Sequence, residues 1–136
     1  MQPETMDRVR VVIAGAVRWT DAGAIQRTLA EFPSTTIVFH GDSPGCDRLA
    51  GQVANAMGLT VVPMKKSRAD ALQYPGEAWK GLNARMLACG ADYVLIFHPN
   101  IEASHGSKHL AEQAQAAAIP VQIITGTVPV ESRSEA

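Results

Sequence analysis

The alternation of short apolar runs with longer segments of helical periodicity constrains this chain more than any other feature. Five runs rich in β-branched and other apolar residues occur, at 9–15, 35–39, 59–63, 91–98 and 119–125. Runs of this length are typical of strands that are buried on both faces of a parallel sheet. Gly15 ends the first run and Pro63 ends the third, which are common signals for the end of a strand.

Four helices are predicted between these runs, because apolar residues recur there at helical spacing. They cover residues 21–32, 46–58, 77–90 and 108–118. The segment 64–76 is locally basic and is predicted to be irregular.

Strands that alternate with helices in this way predict an α/β fold. We expect a Rossmann-like three-layer sandwich whose five-stranded, mostly parallel sheet has the strand order 3-2-1-4-5. One domain is expected over residues 9–125, with an N-terminal tail at 1–8 and a C-terminal tail at 126–136.

In this strand order the chain reverses direction between strands 1 and 4. Ligands of such folds bind at that point, outside the carboxyl ends of the strands. The loops 15–19, 40–45 and 98–107 are predicted to meet there. These three loops therefore hold the first candidates for a binding site.

The composition argues against several classes of function. The 136 residues carry 12 basic and 13 acidic side chains, so no broad positive surface for nucleic acid or a membrane is expected. Aromatic residues make up 5% of the chain, too few for stacking single-stranded nucleic acid. No apolar run approaches the roughly 20 residues of a membrane span, and no signal peptide is predicted. Cys46 and Cys89 predict no disulfide framework and fit a reducing cytoplasm.

The segment HGDSPG, residues 40–45, leads into the second predicted helix. Ser43 suits a helix N-cap and Pro44 a first helical position, so a plain strand-to-helix turn explains part of the pattern. Gly45 costs stability in a first helical turn, which fits a backbone that another group approaches closely. A glycine-bearing turn at a helix N-terminus also offers free amides to a phosphate. Both interpretations stay open for this segment alone.

Two further loops offer groups suited to an anion. Gly15 permits a tight approach, and the guanidinium of Arg18 suits a phosphate, although Arg18 taken alone is better explained as a surface arginine. The segment SHGS, residues 104–107, places small and hydroxyl-bearing residues before another helix. Neither GxGxxG nor GxxxxGK[ST] occurs, so the dinucleotide fingerprint and the P-loop are both missing. Three such loops at one edge favour a nucleotide-like ligand.

The histidines and the basic segment allow other interpretations. His105 and His109 are four residues apart, but without an HExxH or paired CxxC motif we predict no metal site. His40 is expected to pack or to hydrogen-bond rather than to act in catalysis. Lys65 and Lys66 either close over a phosphate or belong to a solvated basic loop.

The segments GAVRW, HGDSPGCDRLA, GLNARML and SHGSKHLAEQA, in this order, resemble the DNA-processing-protein-A and Lonely-Guy superfamily, called SLOG. The resemblance is to its small stand-alone YspA-like members and spans residues 9–123. It implies a Rossmann-like fold and a pocket for nucleotides or nucleotide-derived ligands. The ligand-binding residues expected from the loops and the resemblance are Gly15, Ala16, Arg18, Gly41, Asp42, Ser43, Gly45, Asn83, Ser104, Gly106 and Ser107.

Two departures from the family pattern bear on catalysis. Lonely-Guy enzymes release a base from nucleoside 5'-monophosphates by means of an arginine and a glutamate. Here Leu82 and residues 108–109 stand at the matching positions. Arg85 and Glu112 lie one helical turn further on and are candidate substitutes, and Asp47 is a further candidate acid. Cleavage of an N-glycosidic bond needs a placed acid or carboxylate.

The leading hypothesis is therefore a cytoplasmic nucleotide-binding domain that acts as a sensor or a sequestering module. The alternative is an N-glycoside hydrolase, with Glu112, Asp42 or Asp47 as the acid and Arg18 or Arg85 at the phosphate. Binding of single-stranded DNA is disfavoured by the balanced charge.

The expected partner is a nucleotide-like small molecule, and we expect no cofactor, metal, nucleic acid or membrane. The alanine-rich segment 111–118 would allow close packing against a second helix. A homodimer is therefore an expected assembly.

Overall fold

Five strands form one sheet in the order β3-β2-β1-β4-β5, as the alternation predicted. The computed structural model describes residues 8–126, so all but residues 8 and 126 of the predicted tails, 1–8 and 126–136, lie outside the described residues. The strands are β1 (Arg10–Gly15), β2 (Ile37–His40), β3 (Thr60–Pro63), β4 (Tyr93–Phe97) and β5 (Val121–Ile124). Every pair of neighbours runs parallel, so this sheet is wholly rather than mostly parallel.

Five helices cover the sheet, one more than the sequence predicts. They are α1 (Ala22–Leu29), α2 (Cys46–Ala56), α3 (Arg68–Gln73), α4 (Ala78–Ala88) and α5 (His105–Ala116). A short 3-10 turn, Ile101–Ala103, precedes α5. Within residues 8–126 no helix has both the length and the apolar character that crossing a membrane requires.

The additional helix α3 lies inside the segment 64–76, for which the prediction of an irregular segment was wrong. A capping box begins this helix: the Ser67 amide donates to Asp70 Oδ2 at 2.8 Å, and the Asp70 amide donates to Ser67 Oγ at 3.1 Å. Such a reciprocal pair satisfies two donors at a helix start, which stabilises even a short helix. The segment therefore has a defined conformation at the edge of the sheet.

Alternate residues of each strand supply two apolar cores, one on each face of the sheet. Val11, Ile13 and Phe97 pack toward α1 and α2. Val12 and Ile96 pack toward α4 and α5. Because β1 and β4 are covered on both faces, their sequences read as continuous apolar runs rather than as alternating ones.

The loop after β1 packs directly against the start of α2. The Cys46 amide donates to the Ala16 carbonyl at 3.1 Å, and the Ala16 amide donates to the Phe97 carbonyl at 2.9 Å. A Cβ added to Gly15 would lie 2.6 Å from Cys46 Sγ. This loop is therefore held between α2 and β4 by backbone contacts that leave no space for a side chain.

Gly45 is the second glycine that this contact requires. Its φ is +84°, and an added Cβ would lie 2.6 Å from Val17 Cα and against the Val17 carbonyl. Gly45 is also the N-cap of α2, so the helix does not begin at Ser43 and Pro44 as the sequence suggested. The group that approaches Gly45 closely is the backbone of this chain.

Gly45→Ala is expected to lower the free energy of unfolding by about 3 kcal/mol or more, since overpacking adds to the cost of a positive φ. Gly58→Ala is the matched control, because Gly58 has a φ of +83° and no atom lies within 4 Å of its added Cβ. Its expected cost is about 1 kcal/mol. Urea unfolding measures both values, and equal costs would contradict the packing role of Gly45.

Candidate functional site

A cavity of about 140 Å³ lies at the carboxyl edge of the sheet, between the ends of β1 and β2 and the starts of α4 and α5. Eight of the residues predicted to bind or act on a ligand line it. The strand ends and the α2 region contribute Gly15, Gly41, Ser43 and Asp47. The α4 and α5 helices, with the α5 cap, contribute Asn83, Ser104, Gly106 and Ser107. The predicted switch point between β1 and β4 therefore does carry a cavity.

The N-terminus of α5 is open toward this cavity. Ser104 caps the helix: its Oγ accepts from the Ser107 amide at 3.1 Å, and its carbonyl accepts from the Lys108 amide at 3.1 Å. Within residues 8–126 the amides of His105 and Gly106 donate to no other residue. A Cβ added to Gly106 would meet no atom within 4 Å. Free amides at a helix start, with space before them, can receive an anion.

The N-terminus of α2 is covered only in part: the loop after β1 uses its first amide, whereas the amide of Asp47 donates to no residue within 8–126. The Ala16 carbonyl accepts from the Cys46 amide, and the Ser43 carbonyl accepts from the Arg48 amide at 3.2 Å. Neither Ala16 nor Gly45 lines the cavity. The glycines at the two helix starts thus have different roles. Gly45 packs against the Val17 backbone, whereas Gly106 faces open space.

Asp47 lies on α2 at the wall of the cavity. Its Oδ2 accepts from the Ser43 amide at 3.3 Å and would lie 2.9 Å from a Cβ on Gly41, so only glycine leaves room for this carboxyl group. Burial raises the pKa of Asp47 to about 6, against the hydrogen bonds from Ser43 and Gly41 that lower it. Near neutral pH this group can accept a hydrogen bond or exchange a proton.

Asn83 of α4 is held from two sides by α5. Its Nδ2 lies 3.1 Å from the Gly106 carbonyl, to which it donates, and 3.1 Å from His109 Nδ1. Burial lowers the pKa of His109, which favours the neutral ring that can accept this second bond. Because a carbonyl oxygen can only accept a hydrogen bond, the bond to Gly106 sets the orientation of the Asn83 side-chain amide, with Nδ2 toward Gly106.

Two polar atoms at the cavity lack a protein partner. Asn83 and Ser107 are each 6% exposed. Asn83 Oδ1 and Ser107 Oγ make no hydrogen bond to any residue within 8–126. Leaving a buried polar group unpaired costs about 1–3 kcal/mol, so a ligand that bonds to these atoms recovers that cost.

Lys66 is the one lysine or arginine among the described residues that line the cavity. It follows β3 and belongs to the basic segment for which sequence reasoning left two interpretations open. Trp79, Leu82 and Met86 also line the cavity, although their spacing predicts only a core face of α4. The sequence did indicate that Lys66 lies near the cavity, because it follows β3, which ends at the same edge of the sheet as β1 and β2.

Besides Ala16 and Gly45, four other predicted site residues lie outside the cavity. Arg18 is exposed and borders a separate cavity of about 270 Å³, next to Trp19 and Pro99. Asp42 forms exposed ion pairs, with its carboxylate 3.5 Å from Arg48 Nε and 3.7 Å from Lys65 Nζ.

The other two are Arg85 and Glu112. Arg85 donates to both carboxylate oxygens of Asp70, at 2.6 and 3.2 Å. Glu112 is exposed on α5. Neither side chain lines the cavity, so the two candidate substitutes for the family's arginine and glutamate are not brought to it.

Metal-binding and thiol groups do not contribute to this site. Across residues 8–126 no three His, Cys, Asp or Glu side chains are grouped so as to hold a metal ion. Cys46 is buried, its Sγ lies 3.5 Å from the Ala14 carbonyl, and burial raises the pKa of this thiol. A thiol in this environment stays protonated and is a poor nucleophile.

A search of the sequence against protein-family models and against curated proteins found no match. The resemblance to SLOG proteins therefore stays a prediction from the motifs.

Asp47 is expected to titrate near pH 6 in the folded protein, which carboxyl ¹³C NMR measures directly. Because this pKa lies above the value of about 4 in an unfolded chain, the native state binds the extra proton between these pH values. The free energy of unfolding should therefore fall as pH rises from about 4 to about 6, by something on the order of 2 kcal/mol.

Asp47→Asn should remove this fall, whereas Glu31→Gln, which removes an exposed carboxylate away from the cavity, should leave it. An Asp47 that titrates near pH 4 would contradict the burial of its carboxyl group.

Proposed function

We propose that the protein binds a small phosphorylated ligand of the nucleotide class in the cavity between α4 and α5. The observation that carries this proposal is that hydrogen-bond donors and acceptors without protein partners lie around the same cavity. The open amides of α5 lie on one side of it, and Asn83 Oδ1 has no partner within residues 8–126. A ligand with an anionic end and hydroxyl groups would bond to the α5 amides through the anion and to Asn83 Oδ1 through a hydroxyl group.

The donors favour a phosphate. The amides of His105 and Gly106 carry the positive end of the α5 dipole, and the hydroxyl of Ser107 adds a donor beside them. Lys66 supplies a full positive charge at the same cavity. Hydrogen bonds between charged or dipolar donors and a phosphate are among the strongest in proteins.

The acceptors favour a hydroxyl-bearing group such as a ribose. Asn83 Oδ1 has its orientation set by the bond from Nδ2 to the Gly106 carbonyl. The carboxylate of Asp47 is a second acceptor at the same wall. Two acceptors near one cavity suit neighbouring hydroxyl groups of a sugar.

The size of the cavity limits how much of a ligand it encloses. At about 140 Å³ it is smaller than the 300–1,000 Å³ or so that is usual for sites that enclose a whole ligand. A sugar phosphate is therefore enclosed and a base lies outside, next to the Trp79 ring. That ring is half-buried and contacts His109 edge-on, with centroids 5.4 Å apart.

Hydrolysis of an N-glycosidic bond is a second candidate function, favoured by Asp47. A carboxyl group with a pKa of about 6 at the cavity wall can donate or accept a proton near neutral pH. Arg85 and Glu112 lie away from the cavity, so Asp47 would be the general acid or base in this hydrolysis. Without a second placed carboxylate, binding as a sensor or a sequestering module remains the first proposal.

The proposal includes a cytoplasmic location and a homodimer. Cys46 and Cys89 are both free thiols, which suits a reducing compartment. The end of α5 exposes Ala116, followed by Ala117 and Ala118, a surface that a second copy could approach closely.

Mass spectrometry of the protein mixed with ribose 5-phosphate, the nucleoside 5'-monophosphates and ADP-ribose tests the proposal. We expect a retained ligand mass that the corresponding unphosphorylated nucleosides do not give. A free base that accumulates with time, and that Asp47→Asn abolishes, would establish hydrolysis instead. Retention of nucleosides and nucleotides alike would contradict the phosphate site.

Ser107→Ala is expected to weaken binding of the retained ligand about fivefold to tenfold, because it removes one donor to a charged group. The Ser107 hydroxyl bonds to no residue within 8–126, so the fold should tolerate the change. Ser34→Ala is the control, because it removes an exposed hydroxyl before the amino end of β2, whereas the cavity lies at the carboxyl ends of the strands. Isothermal titration calorimetry measures the affinities, and equal affinities for the two variants would contradict the assignment.

A further inference from the structure

Arg85 and Asp70 form an ion pair that joins α3 to α4. Arg85 Nη2 donates to Asp70 Oδ2 at 2.6 Å, and Arg85 Nε donates to Asp70 Oδ1 at 3.2 Å. The bonds from Arg85 lower the pKa of Asp70 to about 2, so this carboxylate is charged at neutral pH. A planar guanidinium that binds both oxygens fixes orientation as well as distance.

The same pair binds the chain on both sides of Lys66. Arg85 Nη2 also donates to the Lys65 carbonyl at 2.7 Å, which belongs to the peptide group before Lys66. The amide of Ser67, in the peptide group after Lys66, donates to Asp70 Oδ2 at 2.8 Å. Both peptide groups that flank Lys66 are therefore fixed by one ion pair.

The helices are packed so as to keep this pair in place. Asp70 is 4% exposed, and a Cβ on Gly81 of α4 would overlap the Asp70 carboxylate. The start of the segment is anchored separately, because the Met64 amide donates to the His40 carbonyl at 2.7 Å. The segment that carries Lys66 is thus held from β2 at Met64, and from α3 and α4 at the two peptide groups that flank Lys66.

We propose that Arg85 and Asp70 are positioning residues that hold Lys66 at the cavity and so set the affinity of the site for a phosphate group. This inference rests on the proposed function, because it assigns to Lys66 the phosphate of the bound ligand. Lys66 has a long, flexible side chain, and fixing its backbone reduces the entropy lost when it pairs with an anion. Arg85 acts on the ligand through Lys66 and does not touch it.

A double-mutant cycle tests this coupling, with adenosine 5'-monophosphate and adenosine as the probes and calorimetry as the measurement. Lys66→Gln is expected to weaken binding of the monophosphate about tenfold, and Arg85→Gln about fivefold. In the double variant the loss should stay near tenfold, since Arg85 has no effect once Lys66 is gone. Adenosine, which lacks the phosphate, should bind far more weakly than its monophosphate and should not distinguish the four proteins.

Multiplied losses in the double variant, or equal losses for adenosine and its monophosphate, would overturn the inference in favour of a merely structural role. Asp70→Asn breaks the pair from the other side and should reproduce Arg85→Gln. Arg48→Gln is the matched control, because it removes an arginine that pairs with Asp42 and does not line the cavity.

Amide hydrogen exchange of the free proteins separates failure of this inference from failure of the proposed function. Arg85→Gln should speed exchange of the Ser67 amide, while amides of β1 and β4 keep their protection. Unchanged exchange at Ser67 overturns the positioning role even if the monophosphate binds. If exchange changes but the wild-type protein binds no phosphorylated probe, the proposed function fails and the role in phosphate affinity fails with it.

Discussion

The contact between the loop after β1 and the start of α2 is the constraint on which the proposed site depends most. The Ala16 carbonyl accepts from the Cys46 amide, and Gly45 at φ +84° lets the Val17 backbone lie against it. These bonds use the helix end that glycine-bearing turns commonly offer to a phosphate. With the Cys46 and Arg48 amides used in this way, the Asp47 amide of α2 and the His105 and Gly106 amides of α5 donate to no residue within 8–126. We propose that the two neighbouring amides of α5 receive the anion.

The cavity that results has distinct sides. Lys66 and the α5 amides supply positive charge and donors, whereas Asn83 Oδ1 and Asp47 supply acceptors. Each of these groups is placed by a different element, so the site depends on the packing of α2, α4 and α5 against one sheet. The Arg85–Asp70 pair adds α3 to this arrangement, because it binds both peptide groups next to Lys66.

The strand order, the parallel sheet and the edge that carries the cavity were all predictable, because buried runs such as 91–98 and the glycines between elements leave a strong pattern. The pattern around Gly45 was ambiguous for a physical reason. A glycine at such a turn signals that something comes close to the backbone, and in this protein that group is Val17 of the same chain. Sequence alone does not distinguish a ligand from a neighbouring loop.

The charged residues were harder to place for a similar reason. Arg85 is fifteen positions from Asp70, and no local spacing predicts that pair. Helix α3 was missed because its capping box, Ser67 with Asp70, lies in a segment otherwise rich in basic residues. The place of Lys66 after β3 indicated the correct edge of the sheet, but the bonds to the peptide groups on both sides of it come from packing that only the folded chain shows.

The most direct test of this account is an amide NMR titration of the ¹⁵N-labelled protein with adenosine 5'-monophosphate. The account predicts the largest chemical-shift changes at the amides of His105 and Gly106, which donate to no other residue within 8–126. Largest changes at the amides of Cys46 and Arg48, with Gly106 unaffected, would contradict it, because they would show that the ligand binds the start of α2.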